Sequence, residues 1–425
     1  MLLPSICLSI LSISHAIQAP ETLKFVQIWF RHGARMPHDY LRLQDEGPLN
    51  FTYDEFAYPK ELVPIGIKQS YILGEHFNQY YGEFLGDKFN PYSIRVNSGL
   101  DNRTINTALY MLQALFPNRQ NAELQLENDR KVELGWHPIS VHTDESLDWL
   151  SNAIDSKCPN YAQMLNSVPV FNDINLIAEP RIVENLKKHS GQTNSYELFK
   201  VIDAIKCRYF INDTRLPVPD WAINDIDKLV FYDAYFQNQI MDYQNDTVGG
   251  YHLDIILSEF EQYLARSEDS KNKAVFYGSH DTNLITLFKS LSIHETDRKL
   301  PEFGGYIALE LHEVDGNNMV QIWYLESVNS ARKNISIPYC LEPCNIEQLQ
   351  EISRAYRRTK HDITLTCKGL GFKDDFRLDN SGTSVLAFIF ATLFIGSVII
   401  LGYSTFFYRK KYLNTRDPER IQLLH

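Results

Sequence analysis

The 425-residue chain lacks the common signatures of hydrolytic and nucleotide chemistry: it has no HExxH zinc motif, no phosphate-binding P-loop and no GxSxG nucleophile elbow. A zincin, a P-loop NTPase and an α/β-hydrolase of the serine type therefore have no support in the sequence. Internal repeats are also missing, which removes solenoids and propellers. The chain is short of positive charge, with 41 Lys and Arg against 53 Asp and Glu, a formal net charge of −12. Nucleic acid is not an expected partner, and an anionic ligand must be drawn in by a local cluster of cations and not by the overall field. Cysteine is sparse, with six residues at 7, 158, 207, 340, 344 and 367.

The two ends are distinctive. Leu2 to Ala16 is apolar with small residues at Ser12, Ser14 and Ala16, and residues 1–19 read as a secretory signal peptide without the usual basic start. No charged residue occurs between Asn380 and Tyr408. This stretch is long enough to cross a bilayer, and residues 384–408 are expected to be a transmembrane helix. Arg409, Lys410 and Lys411 follow directly, which assigns 409–425 to the cytoplasm as the tail of a type I membrane protein. The tail ends in Glu419-Arg-Ile-Gln-Leu-Leu424, similar to an acidic-dileucine endosomal and lysosomal sorting signal.

Loss of the signal peptide removes Cys7 and leaves an odd number of cysteines. The Cys340-x-x-x-Cys344 pair has neither a second close pair nor a histidine to complete a zinc site, so disulfides in an oxidising compartment are expected. Sequons begin at Asn50, Asn102, Asn212, Asn245 and Asn334, as expected for a glycosylated ectodomain. Asn102 adjoins Arg103, a candidate site residue, and its sequon is expected to be inaccessible and unmodified.

Three apolar strands end in polar chemistry. Phe25-Val-Gln-Ile-Trp-Phe30 reads as a strand buried on both faces, and it breaks into Arg31-His32-Gly33-Ala34-Arg35-Met36-Pro37. Gly33 lacks a Cβ, allowing backbone and ligand to approach closely beside the histidine. Ser93 to Asn97 is a second short strand, followed by Ser98-Gly-Leu-Asp-Asn-Arg103-Thr104 and a helix with apolar residues at Ile105, Ala108, Leu109, Leu112 and Leu115. Ala274-Val-Phe-Tyr-Gly-Ser-His280-Asp281 is the third, continued by a helix. Ligands of open α/β sheets bind beyond the carboxyl ends of strands, where these arginines and histidines lie. Residues 144–270 have a helical texture and read as an α-helical cap inserted between two parts of a sheet domain, residues 20–143 and 271–378.

The string R-H-G-x-R-x-P, the later S-H-D-T and the block Leu62-x-Pro-x-Gly66-x-x-Gln69-x-x-x-Leu73-Gly74 resemble the histidine acid phosphatases over about Leu23 to Leu370. The resemblance implies an α/β fold similar to phosphoglycerate mutase, a mixed sheet flanked by helices. It makes His32 the nucleophile, forming a phosphohistidine, and Asp281 the general acid. Arg31, Arg35, Arg103 and His280 become the phosphate clamp. No metal or cofactor is expected, and the substrate is a small phosphate monoester. An acidic optimum is expected because Asp281 must be protonated to donate. The chain departs from the family at Leu100, where an aspartate is usual, and at Asn106-Thr107, departures that bear on orientation more than on charge. The Leu62 block implies a structural role against the sheet, and His137 and His142 are expected to be structural.

The resemblance also pairs Cys158 with Cys367 and Cys340 with Cys344, leaves Cys207 free or bridged to another chain, and implies a homodimer. Two rival functions remain: a phytase-type inositol-polyphosphate phosphatase, and an inactive adhesion or receptor ectodomain. Phytase relatives carry His-Ala-Glu where this chain has His280-Asp281-Thr282, and an inactive protein would have lost a nucleophile, arginine or acid.

Overall fold

The apolar run at the start of the chain becomes strand β1 (Leu23–Arg31), buried along almost its whole length. The computed structural model describes residues 21–48, 58–117, 123–125, 131–133, 138–149, 160, 165–267, 272–296, 299–370, 401–402 and 404–409. Residues up to Leu370 belong to one compact unit, and those from Gly371 to a second. Of the second unit only a few helical residues near 401–409 are described, so most of the expected span 384–408, like the signal peptide 1–19 and the tail after Arg409, lies outside the described residues. Among the described residues no helix is long and apolar enough to cross a membrane.

Strand β1 lies inside a seven-stranded sheet of order β5-β2-β6-β1-β7-β8-β9, where β2 is Ile94–Ser98, β5 His142–Thr143, β6 Ala274–Ser279, β7 Tyr306–Val314, β8 Asn317–Leu325 and β9 Lys333–Ile335. A separate ribbon pairs β3 (Glu123–Gln125) with β4 (Lys131–Glu133). β5, β2, β6 and β1 are mutually parallel, while β7 runs antiparallel to β1, so the sheet is mixed as expected. A turn at Asp315-Gly316 joins β7 to β8, with both residues at left-handed φ of 51° and 77°.

Period-two alternation sends β1 side chains into two cores. Phe25 and Trp29 face one side, where Phe25 stacks on Tyr263 and Trp29 on Tyr277. Val26, Ile28 and Phe30 face the other, against Phe77 of α1 (Pro64–Leu85) and Met111 of α2 (Asn102–Leu115). Gln27, the polar interruption in the run, is fully buried, and its amide donates to the Ile256 carbonyl at 2.9 Å. A buried donor without such a partner would cost about 1–3 kcal/mol.

Between β5 and β6 the described chain is helical. It includes α3 (Glu145–Trp149), α4 (Pro180–Ser190), α5 (Ser195–Ile211), α6 (Ile226–Gln244) and α7 (Gly250–Ala265). Asn194 caps α5 by accepting from the amides of Tyr196 and Glu197, and Asn212 ends it at a left-handed φ of 50°. The Phe199 and Phe236 rings stack at 3.7 Å and lock α5 to α6.

Register brings the three polar motifs together. Arg31 is level with Ser279, and Ser98 with Gly278, so β1, β6 and β2 end at one edge of the sheet. The loop after β1 is pressed onto the first turn of α1: a Cβ at Gly33 would sit 2.2 Å from the Gly66 carbonyl oxygen, and one at Gly66 only 2.0 Å from that of Ala34. The close approach expected at Gly33 is therefore to a helix backbone and not to a ligand. Gly66→Ala is expected to lower stability by about 1–3 kcal/mol through overpacking. Gly47→Ala, where no atom lies within 4 Å, serves as the unaffected control in the same denaturant titration.

Candidate active site

Beyond β1 the chain is clamped from both neighbouring segments: the Arg31 amide donates to the Gly305 carbonyl at 2.8 Å and the His32 amide to the Ser279 carbonyl at 3.1 Å. His32 is buried, with Nδ1 2.8 Å from the Gly33 carbonyl oxygen. A carbonyl only accepts, so Nδ1 carries the proton and Nε2 keeps its lone pair. Arg103 Nε donates to that Nε2 at 3.2 Å, which requires the same tautomer. Burial, reinforced by Arg103, His280, Arg31 and Arg35, holds the His32 pKa well below the ordinary histidine value. The imidazole is neutral, with an unprotonated nitrogen facing the pocket.

Three guanidinium groups surround it, each with a carboxylate. Arg31 contacts Asp281 at 2.7 Å, donates to the Pro301 carbonyl at 2.6 Å and lies 4.2 Å above the Phe303 ring. Arg103, at the start of α2, pairs with Asp101 at 2.6 Å. Burial and then Arg35 lower its pKa to about 10, so it stays charged. Arg35 makes two 3.1 Å bonds to Asp203 of α5. Burial opposes its charge, but Asp203 outweighs that and raises its pKa.

His280 caps α8 (Asp281–Ser290), its amide bonded to Asn283 Oδ1 at 3.0 Å. Its Nε2 meets Asp148 at 2.9 Å, leaving Nδ1 toward Arg103 at 3.5 Å. Asp281 begins the same helix. Burial alone would raise its pKa, but Arg31, Lys206, His280 and Arg35 outweigh burial and lower it. Asp281 is thus an ionised partner of Arg31. The protonated acid on which the expected acidic optimum rests is not the state that these cations favour.

All six expected residues, His32, Asp281, Arg31, Arg35, Arg103 and His280, line one pocket whose opposite wall comes from α5 and α6. The family pattern of the histidine phosphatase superfamily (branch 2) matches residues 22–325. The chain belongs to the histidine phosphatase superfamily, branch 2. It is 27% identical to prostatic acid phosphatase of Mus musculus over 359 residues, 79% of this chain and 86% of that protein. It is also 25% identical to lysosomal acid phosphatase of Xenopus laevis over 346 residues, 78% and 76% of the two chains. In fold it is similar to the phytase of Citrobacter braakii, with a TM-score of 0.55 and 16% identity over 79% of this chain and 98% of that one.

Sequence reasoning passed over the supports of this histidine phosphatase site. Asp101 was hidden by the departure at Leu100: the carboxylate comes one residue later, and Leu100 itself is half-exposed. Asp148 accepts from the amides of Leu100 and Asp101 as well as meeting His280, so it ties the β2 turn to the β6 turn. Gln69 accepts from the Ala34 amide at 2.8 Å, giving the Leu62 block a share in shaping the loop. Thr107, half of the second departure, accepts from the Gly33 amide at 3.1 Å. Asp203 and Lys206 arrive from distant helix α5 without a local signature. Asp101, Asp148 and His280 are, among the described residues, the one histidine and carboxylate cluster close enough to hold a metal, and there they orient Arg103.

Cys340 and Cys344 form the expected disulfide. Cys367 is disulfide-bonded, and Cys158 lies outside the described residues. Asn212 and Asn334 are exposed, Asn50 lies outside the described residues, and Asn245 falls in a π-helical turn at Asn245–Gly249. Asn102 is exposed too, its amide donating to Glu61 at 2.9 Å, so burial does not shield that sequon as expected. His142 sits exposed on β5, away from the pocket, and His137 lies outside the described residues. Cys207 is free and completely buried, 3.2 Å from Arg35, which rules out the bridge to another chain. Burial pushes its thiol up to about 12. A thiol reagent followed by peptide mapping is expected to leave Cys207 unlabelled in the folded protein and to label it fully in denaturant.

Proposed function

We propose that this chain is an acid phosphatase in which His32 is the nucleophile. The observation that carries the reading is the neutral His32 Nε2 facing a ring of three guanidinium groups. In the first step its lone pair forms the N–P bond as the P–O bond to the leaving group breaks in line. Arg31, Arg35, Arg103 and His280 bind the equatorial oxygens, and Asp281 delivers a proton to the leaving oxygen. In the second, water attacks phosphorus, the N–P pair returns to Nε2, Asp281 takes the proton of water, and inorganic phosphate leaves.

Since Asp281 paired with Arg31 is ionised, the proton for the leaving group arrives with the substrate. A phosphate monoester monoanion, with second pKa near 6, hands its proton to Asp281 and becomes a dianion, which takes over the arginines as the carboxyl group lets go of Arg31. The sign follows. The rate constant kcat/KM for an alkyl phosphate is expected to be full below roughly pH 6 and to fall about tenfold per unit above it. The low His32 pKa keeps the nucleophile neutral on the acid side. Measured on the purified full chain, His32→Ala is expected to abolish turnover. Asp281→Asn is expected to lower kcat on alkyl phosphates by about 10²–10⁴-fold, and less on aryl phosphates, whose leaving groups need little protonation. An alkaline optimum would remove Asp281 from the role of acid, and a folded protein without turnover would favour the receptor reading.

The pocket wall supports a monoester with one phosphate over a polyphosphorylated inositol. Phe199, Phe236, Ile240 and Met241 give it apolar surface, and Asp203 and Asp233 offset Lys200 and Lys206, so this wall adds no net positive charge for further phosphates. An aryl phosphate is expected to exceed phytate in kcat/KM by at least about tenfold in a direct comparison. The apolar residues 385–407 and the basic run after them support a type I anchor with the catalytic part in the lysosomal or endosomal lumen or at the cell surface. Family membership supports a homodimer, and the helical region 144–270 acts as the cap that sets access.

A further inference from the structure

The reading above gives one buried pocket cation a share in holding Asp281 ionised but no part in binding phosphate. Lys206 is almost completely buried on α5, three residues beyond Asp203 and one before Cys207. Its ammonium group is bonded to Asp233 of α6 and lies 3.4 Å from Asp203 Oδ1. Asp203 is in turn the carboxylate that grips Arg35. A line of alternating charge therefore runs from the catalytic loop into the helical layer: Arg35, Asp203, Lys206, Asp233. All four line the pocket.

Stability does not explain it. Desolvating an ion pair costs about as much as the pairing returns, and apolar residues of similar size would serve the core at least as well. Its geometry matters to Arg35, because a carboxylate shared between two cations neutralises each of them less than one held by a single cation. We propose that Lys206 is a positioning residue for phosphate binding: by sharing Asp203 it keeps the Arg35 guanidinium available to the incoming phosphate, while Asp233 holds the ammonium in place. This rests on the assignment of Arg35 to the phosphate clamp. Burial opposes the Lys206 charge, but Asp233 and Asp203 outweigh it and keep the ammonium protonated.

Two substitutions in one pair then act in opposite directions. In Asp233→Asn, Lys206 has only Asp203 left to hold, draws it from Arg35, and phosphate binds more tightly. In the Lys206→Met, Asp233→Asn double variant the net charge is that of the wild type, but Asp203 falls wholly to Arg35, and phosphate binds more weakly, by roughly tenfold. The double variant also removes the pair as a unit, so it keeps the test open where Lys206→Met alone, with Asp233 stranded, fails to fold.

The experiment is calorimetric titration of the full-length wild type, Asp233→Asn and the double variant with inorganic phosphate, with KM and kcat for an aryl phosphate measured in parallel. The expected result is tighter phosphate binding in the first variant and weaker binding in the second, with KM following Kd and kcat nearly constant. Wild-type affinity in the double variant, or loss of affinity in both, would overturn the role of Lys206. Absence of turnover in a wild-type protein that binds phosphate would overturn the phosphatase reading instead, leaving the binding comparison intact.

Discussion

The hydrogen bond from His32 Nδ1 to the Gly33 carbonyl is the contact on which the site depends. It fixes which ring nitrogen holds the proton, and so which one can attack. A lone pair on an imidazole nitrogen would ordinarily be lost to protonation below about pH 6.5, where free histidine titrates. Here burial removes the water that would stabilise a positive charge on the ring, and Arg103, His280, Arg31 and Arg35, the proposed phosphate clamp, oppose it as well. The neutral imidazole and the cationic ring around it are consequently one electrostatic arrangement, and removing a guanidinium changes both.

That arrangement needs groups from three distant parts of the chain to meet within a few ångströms. The mixed sheet solves this by register: β1, β6 and β2 are parallel neighbours and end at the same level, so His32, His280 and the turn before Arg103 come off one edge. The loop after β1 is then pinned by the Gly33 and Gly66 approach, by Gln69 and by Thr107. Such supports are costly to disturb because each satisfies a backbone amide that is otherwise buried.

Much of this was legible in the sequence. The apolar run of β1 interrupted by Arg31-His32 gave both the strand and the site, because burial on two faces leaves a continuous signal. The motifs around Arg103 and His280 named their own junctions. Asp101 was legible in principle, one residue from an expected aspartate. Asp203, Lys206 and Asp233 were not, since polar residues on an amphipathic helix usually face solvent, and only the packing of α5 and α6 on the sheet edge turns them toward the pocket. The tautomer of His32 and the ionised state of Asp281 are properties of assembled geometry, with no local code.

An acidic protein with a phosphate site raises the question of how its cations stay available. The answer in the pocket is partner exchange. Arg31 holds Asp281, Arg103 holds Asp101 and Arg35 holds Asp203, so each guanidinium is matched by a carboxylate and none of them is buried unpaired. A phosphate that enters replaces carboxylate oxygens around the same cations, so its gain is the difference between two sets of charged hydrogen bonds and not their full strength. In the proposed clamp one compact dianion would face all three arginines, whereas in the structure each carboxylate pairs with a single one of them. Discrimination would then follow the concentration of charge on one phosphorus, and anions with spread charge would gain little from entering.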